Sequence, residues 1–362
     1  MNRRRAYCWS LALILFACRS AAASDPAAQP DGRQARVYVT PEERREAGAG
    51  HQVTRWLNVG GLLDLEQTGV RYGLADGPGH TRESDFGKSL ELDATVTPLS
   101  WLKSELVFQY DDEGSDSYRF DEATVSAEAG DFELALGMQY VPFGTYLSHF
   151  ATGPVLEFGE TRDRGATLSW GPDERFDLSL FAYQGRARKA GSHGEPWDGG
   201  VALETSPSPN VLFGAGWLSD LADSQENLLA DSNNRYTRRV SAWNAYLVAG
   251  TDRFELSAEV VSALAAFREL EPESNHPSAW NVELAYLPSN RIEWALRWEE
   301  SHEVQDAPRR RTGIALSWRA ARGISLTLEY LHGWYRSGLA ENSNGDAVSD
   351  SDQVGAQLSL LF

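Results

Sequence analysis

One pattern recurs along most of this chain and few folds can use it: apolar side chains at every second position with polar ones between. Leu90, Leu92, Ala94 and Val96 interleave with Glu91, Asp93, Thr95 and Thr97. Phe132, Leu134, Leu136, Met138 and Tyr140 alternate with Glu133, Ala135, Gly137 and Gln139, and Ile292, Trp294, Leu296 and Trp298 with Glu293, Ala295, Arg297 and Glu299. The same holds for Ile324, Leu326, Leu328 and Tyr330. Such runs are β-strands with one apolar and one polar face. A soluble sandwich also alternates, but its apolar face carries mixed aliphatics. Here aromatics gather towards strand ends, at Tyr110, Phe132, Tyr140, Phe176, Phe254, Tyr286, Trp298, Trp318 and Tyr330, as in the two interfacial girdles of a membrane barrel.

The connections sort into two kinds. Short turns are expected at Pro98 to Ser100, Gly130-Asp131, Gly171 to Arg175, Ser206 to Asn210, Gly250 to Arg253, Pro288 to Arg291 and Ala320 to Gly323. Longer polar connections are expected at roughly 69–85, 111–118, 141–160, 184–198, 218–238, 262–279, 300–311 and 332–351. Their alternation predicts an all-β chain, a transmembrane antiparallel up-and-down β-barrel of about 16 strands, with short turns on the periplasmic side and long loops outside. No run after residue 23 nears the 18 apolar residues of a helical span, and a bilayer admits only helices or closed sheets. The last strand, Val354, Ala356, Leu358, Leu360 and Phe362, resembles the terminal signal read by the barrel-assembly machinery.

Arg3, Arg4 and Arg5, the apolar run Ala6 to Cys18 and Ala21-Ala22-Ala23 predict a cleaved signal peptide over 1–23. A lipoprotein signal at Leu15-Phe16-Ala17-Cys18 is the competing reading, against which bulky Phe16 counts. Residues 24–52 form a periplasmic linker in which Thr40-Pro41-Glu42-Glu43 carries the signature of a short helix start, and the barrel occupies 53–362. That linker is too short for the plug of an energy-coupled receptor, and 16 strands are too few. Both cysteines, Cys8 and Cys18, fall in the leader, so a secreted mature chain has neither disulfide nor thiol chemistry. With 33 basic residues against 52 acidic ones, nucleic acid is not a partner. The expected location is the outer membrane of a Gram-negative cell, with lipid, lipopolysaccharide and a small solute as partners; oligomeric state is not legible.

Two segments, GMQYVPFG at 137–144 and LEFGETRD at 156–163, preceded by FDEATVSA at 120–127, resemble the LbtU-type siderophore porin family, with Met138 standing where that family usually has Arg. The close resemblance covers roughly residues 120–170. It implies a 16-stranded channel associated with uptake of a ferric siderophore. A general cation-selective porin, or a structural or adhesive barrel, are the alternatives.

Between those segments Pro142 and Gly144 break strand five, and the following loop is unusually apolar, with Tyr146, Leu147, Phe150, Val155, Leu156 and Phe158. Either it folds into the mouth and narrows the pore, or it packs over the rim against lipopolysaccharide. The candidate constriction comprises Tyr140, Pro142, Phe143, Gly144, Tyr146, Glu157, Glu160 and Asp163. Glu91, Asp93, Glu105, Glu133, Glu255, Glu293, Arg297 and Glu329 are the candidate lumen charges, and a wall of one sign favours cations. No catalytic constellation, metal motif or cofactor is expected: all seven histidines fall in predicted loops or the N-terminal segment, none in a spaced ligand motif, and Ser148-His149 is a lone adjacency. Asn342 to Asp346 looks like half a calcium loop, but Gln353 stands where the bidentate Glu belongs.

Overall fold

A computed structural model describes residues 50–112, 117–173, 175–194, 196–224, 228, 229, 233–336 and 338–362. The expected leader, 1–23, and the expected helix start at Thr40 to Glu43 lie outside them. Sixteen antiparallel strands form the barrel: β1 (Leu57–Leu74), β2 (His80–Leu99), β3 (Leu102–Asp111), β4 (Tyr118–Ala129), β5 (Phe132–Tyr140), β6 (Arg162–Asp173), β7 (Phe176–Gln184) and β8 (Trp197–Ser208). They continue as β9 (Val211–Leu218), β10 (Ala242–Gly250), β11 (Phe254–Ala263), β12 (Ser278–Ser289), β13 (Ile292–His302), β14 (Arg310–Ala321), β15 (Ile324–Trp334) and β16 (Val348–Leu361).

Each strand pairs with its sequence neighbours, and β16 closes on β1, with Leu358 opposite Leu65 and Leu361 opposite Leu62. Phe362 extends the seam: its N–H donates to the Gly61 carbonyl at 3.0 Å and its carbonyl accepts from Gly61 N–H at 2.9 Å. Closure leaves no strand edge, which is what lets a sheet stand in hydrocarbon.

The two faces follow the alternation. Outward positions hold large exposed apolar groups, Trp280, Leu284, Trp294, Leu296, Trp298, Ile314, Trp318 and Leu328 among them, a belt far larger than a water-facing protein tolerates. Their alternates Asn281, Glu283, Glu293, Ala295, Arg297, Glu299, Ser317 and Glu329 are buried on the inner face.

Two expected loops are corrected. β1 and β2 run as an 18-residue and a 20-residue strand joined by residues 75–79, so most of 69–85 is paired sheet. From His80 to Asp85 polar residues alternate with other polar residues, so the period-two pattern that marks the remaining strands is absent there although the backbone is fully paired. The expected loop at 332–351 also starts later, and His332 lies on β15, bonded through Nδ1 to Asp352 at 2.8 Å. Likewise His51 lies in a short strand (His51–Thr54), while His80 and His302 stand at strand ends.

Candidate functional site: the inner wall and the loop after β5

Strand β5 stops at Tyr140 and the chain does not return as strand until Arg162. Residues 141–161 run across the inner face of β11 to β15 instead of over the rim. Four wall carboxylates hold the loop by its backbone. Glu259 on β11 accepts from Thr145 N, Thr145 Oγ1 and Tyr146 N, each at 2.9 Å. Glu283 on β12 accepts from His149 N at 2.7 Å, and Glu299 on β13 from Val155 N at 2.7 Å. Glu329 on β15 accepts from Ala151 N at 2.8 Å, from Thr152 N and, in a short contact, from Thr152 Oγ1. A loop without secondary structure must still satisfy its N–H groups, and carboxylates are the strongest acceptors available.

Basic groups balance the carboxylates beneath. Arg297 on β13 is fully buried; its Nε donates to Glu283 Oε1 at 2.8 Å, Nη1 to Thr152 O at 2.8 Å and Nη2 to Ser148 Oγ at 2.5 Å. Its guanidinium lies over the Phe150 ring, 4.3 Å from the centroid. Arg311 pairs with Glu299 and donates to the Gly153 carbonyl at 2.6 Å. His149 Nδ1 meets Glu293 at 2.7 Å, with Glu255 3.6 Å from Nε2. Ser148 Oγ is engaged with Phe150 and Arg297 while the His149 ring faces carboxylates, so the adjacent pair makes no nucleophile and base.

Apolar packing completes the seating. Phe143, Leu156 and Phe158 are buried in a cluster with Tyr183, Leu218, Val261 and Phe267. Phe150 belongs to a second cluster with Ala285, Ala295, Ala315 and Leu331. Small wall residues make room: a side chain at Gly313 would meet Phe150 at 2.8 Å, and one at Gly355 would meet Glu329 at 2.8 Å. Gly144 has φ +93°, and Glu259 Oε1 comes within 2.7 Å of where its Cβ would be, so glycine serves both the turn and the carboxylate's approach.

The sequence-singled residues thus divide. Pro142, Phe143, Gly144 and Tyr146 root the loop. Glu157 sits on its single turn of 3-10 helix, Val155–Gly159, and Glu160 closes that turn by donating its N–H to the Glu157 carbonyl at 2.9 Å. Tyr140 bonds Asp121, which also holds Arg162, and Asp163 pairs with Arg186 at 3.3 Å. Glu293, Arg297 and Glu329 lie beneath the loop, with Glu255 at its edge beside His149. Glu133 is exposed near the short-turn end of β5. Glu91, Asp93 and Glu105 share the inner rows of β2 and β3 with Asp64 and Glu66 of β1 and Glu122 of β4, on the wall the loop leaves uncovered. Lys103, 3.1 Å from Glu105, and Arg119 are the described cations in those rows. Glu259, Glu283, Glu299 and Arg311 are loop holders that alternation alone does not distinguish from other inward groups.

No family model matches the chain. It is 29% identical over 305 residues to a UPF0422 protein of Coxiella burnetii, covering 75% of this chain and 66% of that one. A UPF0422 protein of Legionella pneumophila (strain Lens) is 24% identical over 266 residues, with 62% and 50% covered. The chain spans about half to two thirds of the length of these curated relatives. Among solved structures it is similar to the anion-selective porin from Comamonas acidovorans, with TM-score 0.60, 12% identity, 84% of this chain and 99% of that one covered. The outer-membrane channel DcaP of Acinetobacter baumannii superposes with TM-score 0.56 at 13% identity over 87% and 100%. The fold is therefore that of the porin-like outer-membrane channels, a closed antiparallel barrel of 16 strands.

Proposed function

We propose that this chain is an outer-membrane channel that passes small solutes passively, with a preference for cations, through the corridor between the loop 141–161 and the β1 to β4 wall. One observation carries the reading: on the inner rows that the loop leaves uncovered, acidic side chains outnumber basic ones. On β11 to β15 the carboxylates are bound by loop amides, Arg297, Arg311 and His149. On β1 to β4 the inner rows carry Asp64, Glu66, Glu91, Asp93, Glu105 and Glu122 with two bases, Lys103 beside Glu105 and Arg119 beside Asp121, a net excess of acid. A corridor with one acidic wall concentrates cations.

Purified barrel in planar bilayers under a KCl gradient tests this. A reversal potential of cation-selective sign is expected; an anion-selective sign overturns the preference, and the absence of any open state favours a structural or adhesive barrel.

A ferric siderophore as cargo is the second reading. It is supported by the resemblance of residues 137–144 and 156–163 to siderophore porins, the two ends that root the loop. Liposome-swelling rates with iron-loaded and iron-free siderophore against a sugar of equal size test it, and equal rates sink it.

A further inference from the structure

At the long-loop end of the barrel, away from the corridor, three aspartates meet in an apolar surround. Asp198 is the second residue of β8, Asp220 caps the 3-10 turn Leu221–Asp223 and Asp223 ends it. All three are buried, and one oxygen of each lies within 4.8 Å of the other two. Tyr183 and Ala187, which bond Asp220 and Asp223, and the neighbouring Leu221 belong to a buried apolar cluster.

Most of their oxygens are accounted for. Asp223 Oδ1 accepts from Arg186 N at 2.7 Å and Ala187 N at 2.6 Å, and Asp220 Oδ1 from Ala222 N at 3.1 Å. Asp198 takes Ser219 Oγ at 2.9 Å and Arg239 at 3.0 Å. Two atoms are left: Asp220 Oδ2 and Asp223 Oδ2 are inaccessible and receive no hydrogen bond. The nearest cation to the first is Arg239 Nε, 4.0 Å away. The second converges with Asp198 Oδ2 over bare Gly185, in a space that any side chain there would fill. Three ionised carboxylates against one guanidinium leave two negative charges buried together, an arrangement several kcal/mol too costly to stand alone.

We propose that Asp198, Asp220 and Asp223 bind one hard divalent cation of the calcium class, which ties the start of the 185–196 loop to the start of the 219–241 loop. Oxygen-only donors suit a hard ion, and donor atoms up to 4.8 Å apart fit around one centre at about 2.3–2.6 Å from each. A single divalent charge cancels the excess. The two loops already touch through a short parallel pairing, Arg188–Lys189 with Arg235–Tyr236. The ion fixes their roots, so the rim at this end keeps one shape.

The test uses the full-length folded barrel in detergent after EDTA treatment, with terbium as probe. Tyr183 donates its hydroxyl to the Asp220 carbonyl at 3.4 Å and so sits close enough to sensitise emission. One equivalent of tyrosine-sensitised emission, displaced by CaCl2, is expected, together with slower proteolysis of the 219–241 loop in calcium than in EDTA. Asp223→Asn and Gly185→Ala should lose the emission while retaining heat-modifiable migration of a folded barrel. Arg239→Gln keeps every ligand, removes the competing cation and should bind about tenfold more tightly. Glu341→Gln, in the connection between β15 and β16, should change nothing. No saturable emission from the wild type, or full emission from folded Asp223→Asn, overturns the site. Magnesium displacing terbium as well as calcium overturns the calcium class alone. If Asp223→Asn and Gly185→Ala do not fold, the wild-type stoichiometry and the Arg239→Gln shift decide.

Discussion

Glu259 of β11 receives both the backbone N–H and the hydroxyl of Thr145 at 2.9 Å, joining residues 114 positions apart in sequence. With the Tyr146 N–H, the carboxylate fixes the loop where it leaves the wall of β5. Hydrogen bonds to a charged acceptor contribute about 1.5–3 kcal/mol each, and several here share one side chain. Glu259→Ala should leave the barrel folded and release the start of the loop. Single-channel recordings should show larger and noisier conductance, and unchanged traces would mean that the remaining contacts hold the loop alone.

Arg297 is the counter-charge on which the covered half of the wall depends. Removing one partner of a buried ion pair typically costs about 3–5 kcal/mol, because the remaining charge stays uncompensated. Arg297→Met should therefore lower stability by about that amount, measured as the urea midpoint of the folded barrel. Arg297→Met with Glu283→Leu should recover much of the loss, since both ends of the pair then become apolar.

Two groups on the loop, outside the membrane-spanning strands, give its seating a pH dependence. Burial pushes Glu157 up to about 8, with the neighbouring Glu160 adding to the effect. His149 is also raised: burial lowers it, but the hydrogen bond and charge of Glu293 and the charges of Glu283 and Glu255 outweigh that. Both groups hold their protons more tightly in the seated loop than in a released one. The contribution of Glu157 is thus complete below the free carboxylate value and lost as pH rises through about 8, and that of His149 is lost as pH rises through its own raised value. Protease nicking of residues 141–161 should accelerate as pH rises towards about 8 and level off beyond it, and Glu157→Gln should flatten the part of the profile that Glu157 supplies.

The uncovered wall sets ion preference in the proposed corridor. Glu91→Lys with Asp93→Lys exchanges two adjacent inner-face acids for bases and should shift the zero-current potential from cation preference towards or past neutrality. Reversing Glu329, held beneath the loop, should destabilise the fold more than it alters selectivity. If Glu91→Lys and Glu329→Lys shift selectivity equally, the one-sided picture of the pore is wrong.

Much of the architecture is legible in local pattern. Leu90 to Val96 and Ile292 to Trp298 alternate because one face of each strand meets lipid, and the turn residues at Gly130-Asp131 and Arg322-Gly323 mark the hairpins. The first hairpin was harder to read. From His80 to Asp85 the apolar alternation is missing while the backbone pairing of the two strands continues to Gly73 and His80.

By itself, then, the sequence determined the class of sheet, its strand count and the face each strand residue takes, since a period of two is a local property of extended backbone. Only the tertiary structure decided the fate of the inward charges. Glu91 and Glu329 look alike in sequence, yet one stands in the inner row of β2 and the other clasps Ala151 and Thr152 from 178 and 177 positions away. The meeting of Asp198 with Asp220 and Asp223 is of the same kind. Such contacts depend on where a loop lands after the barrel has closed, and no periodicity along the chain encodes that distance.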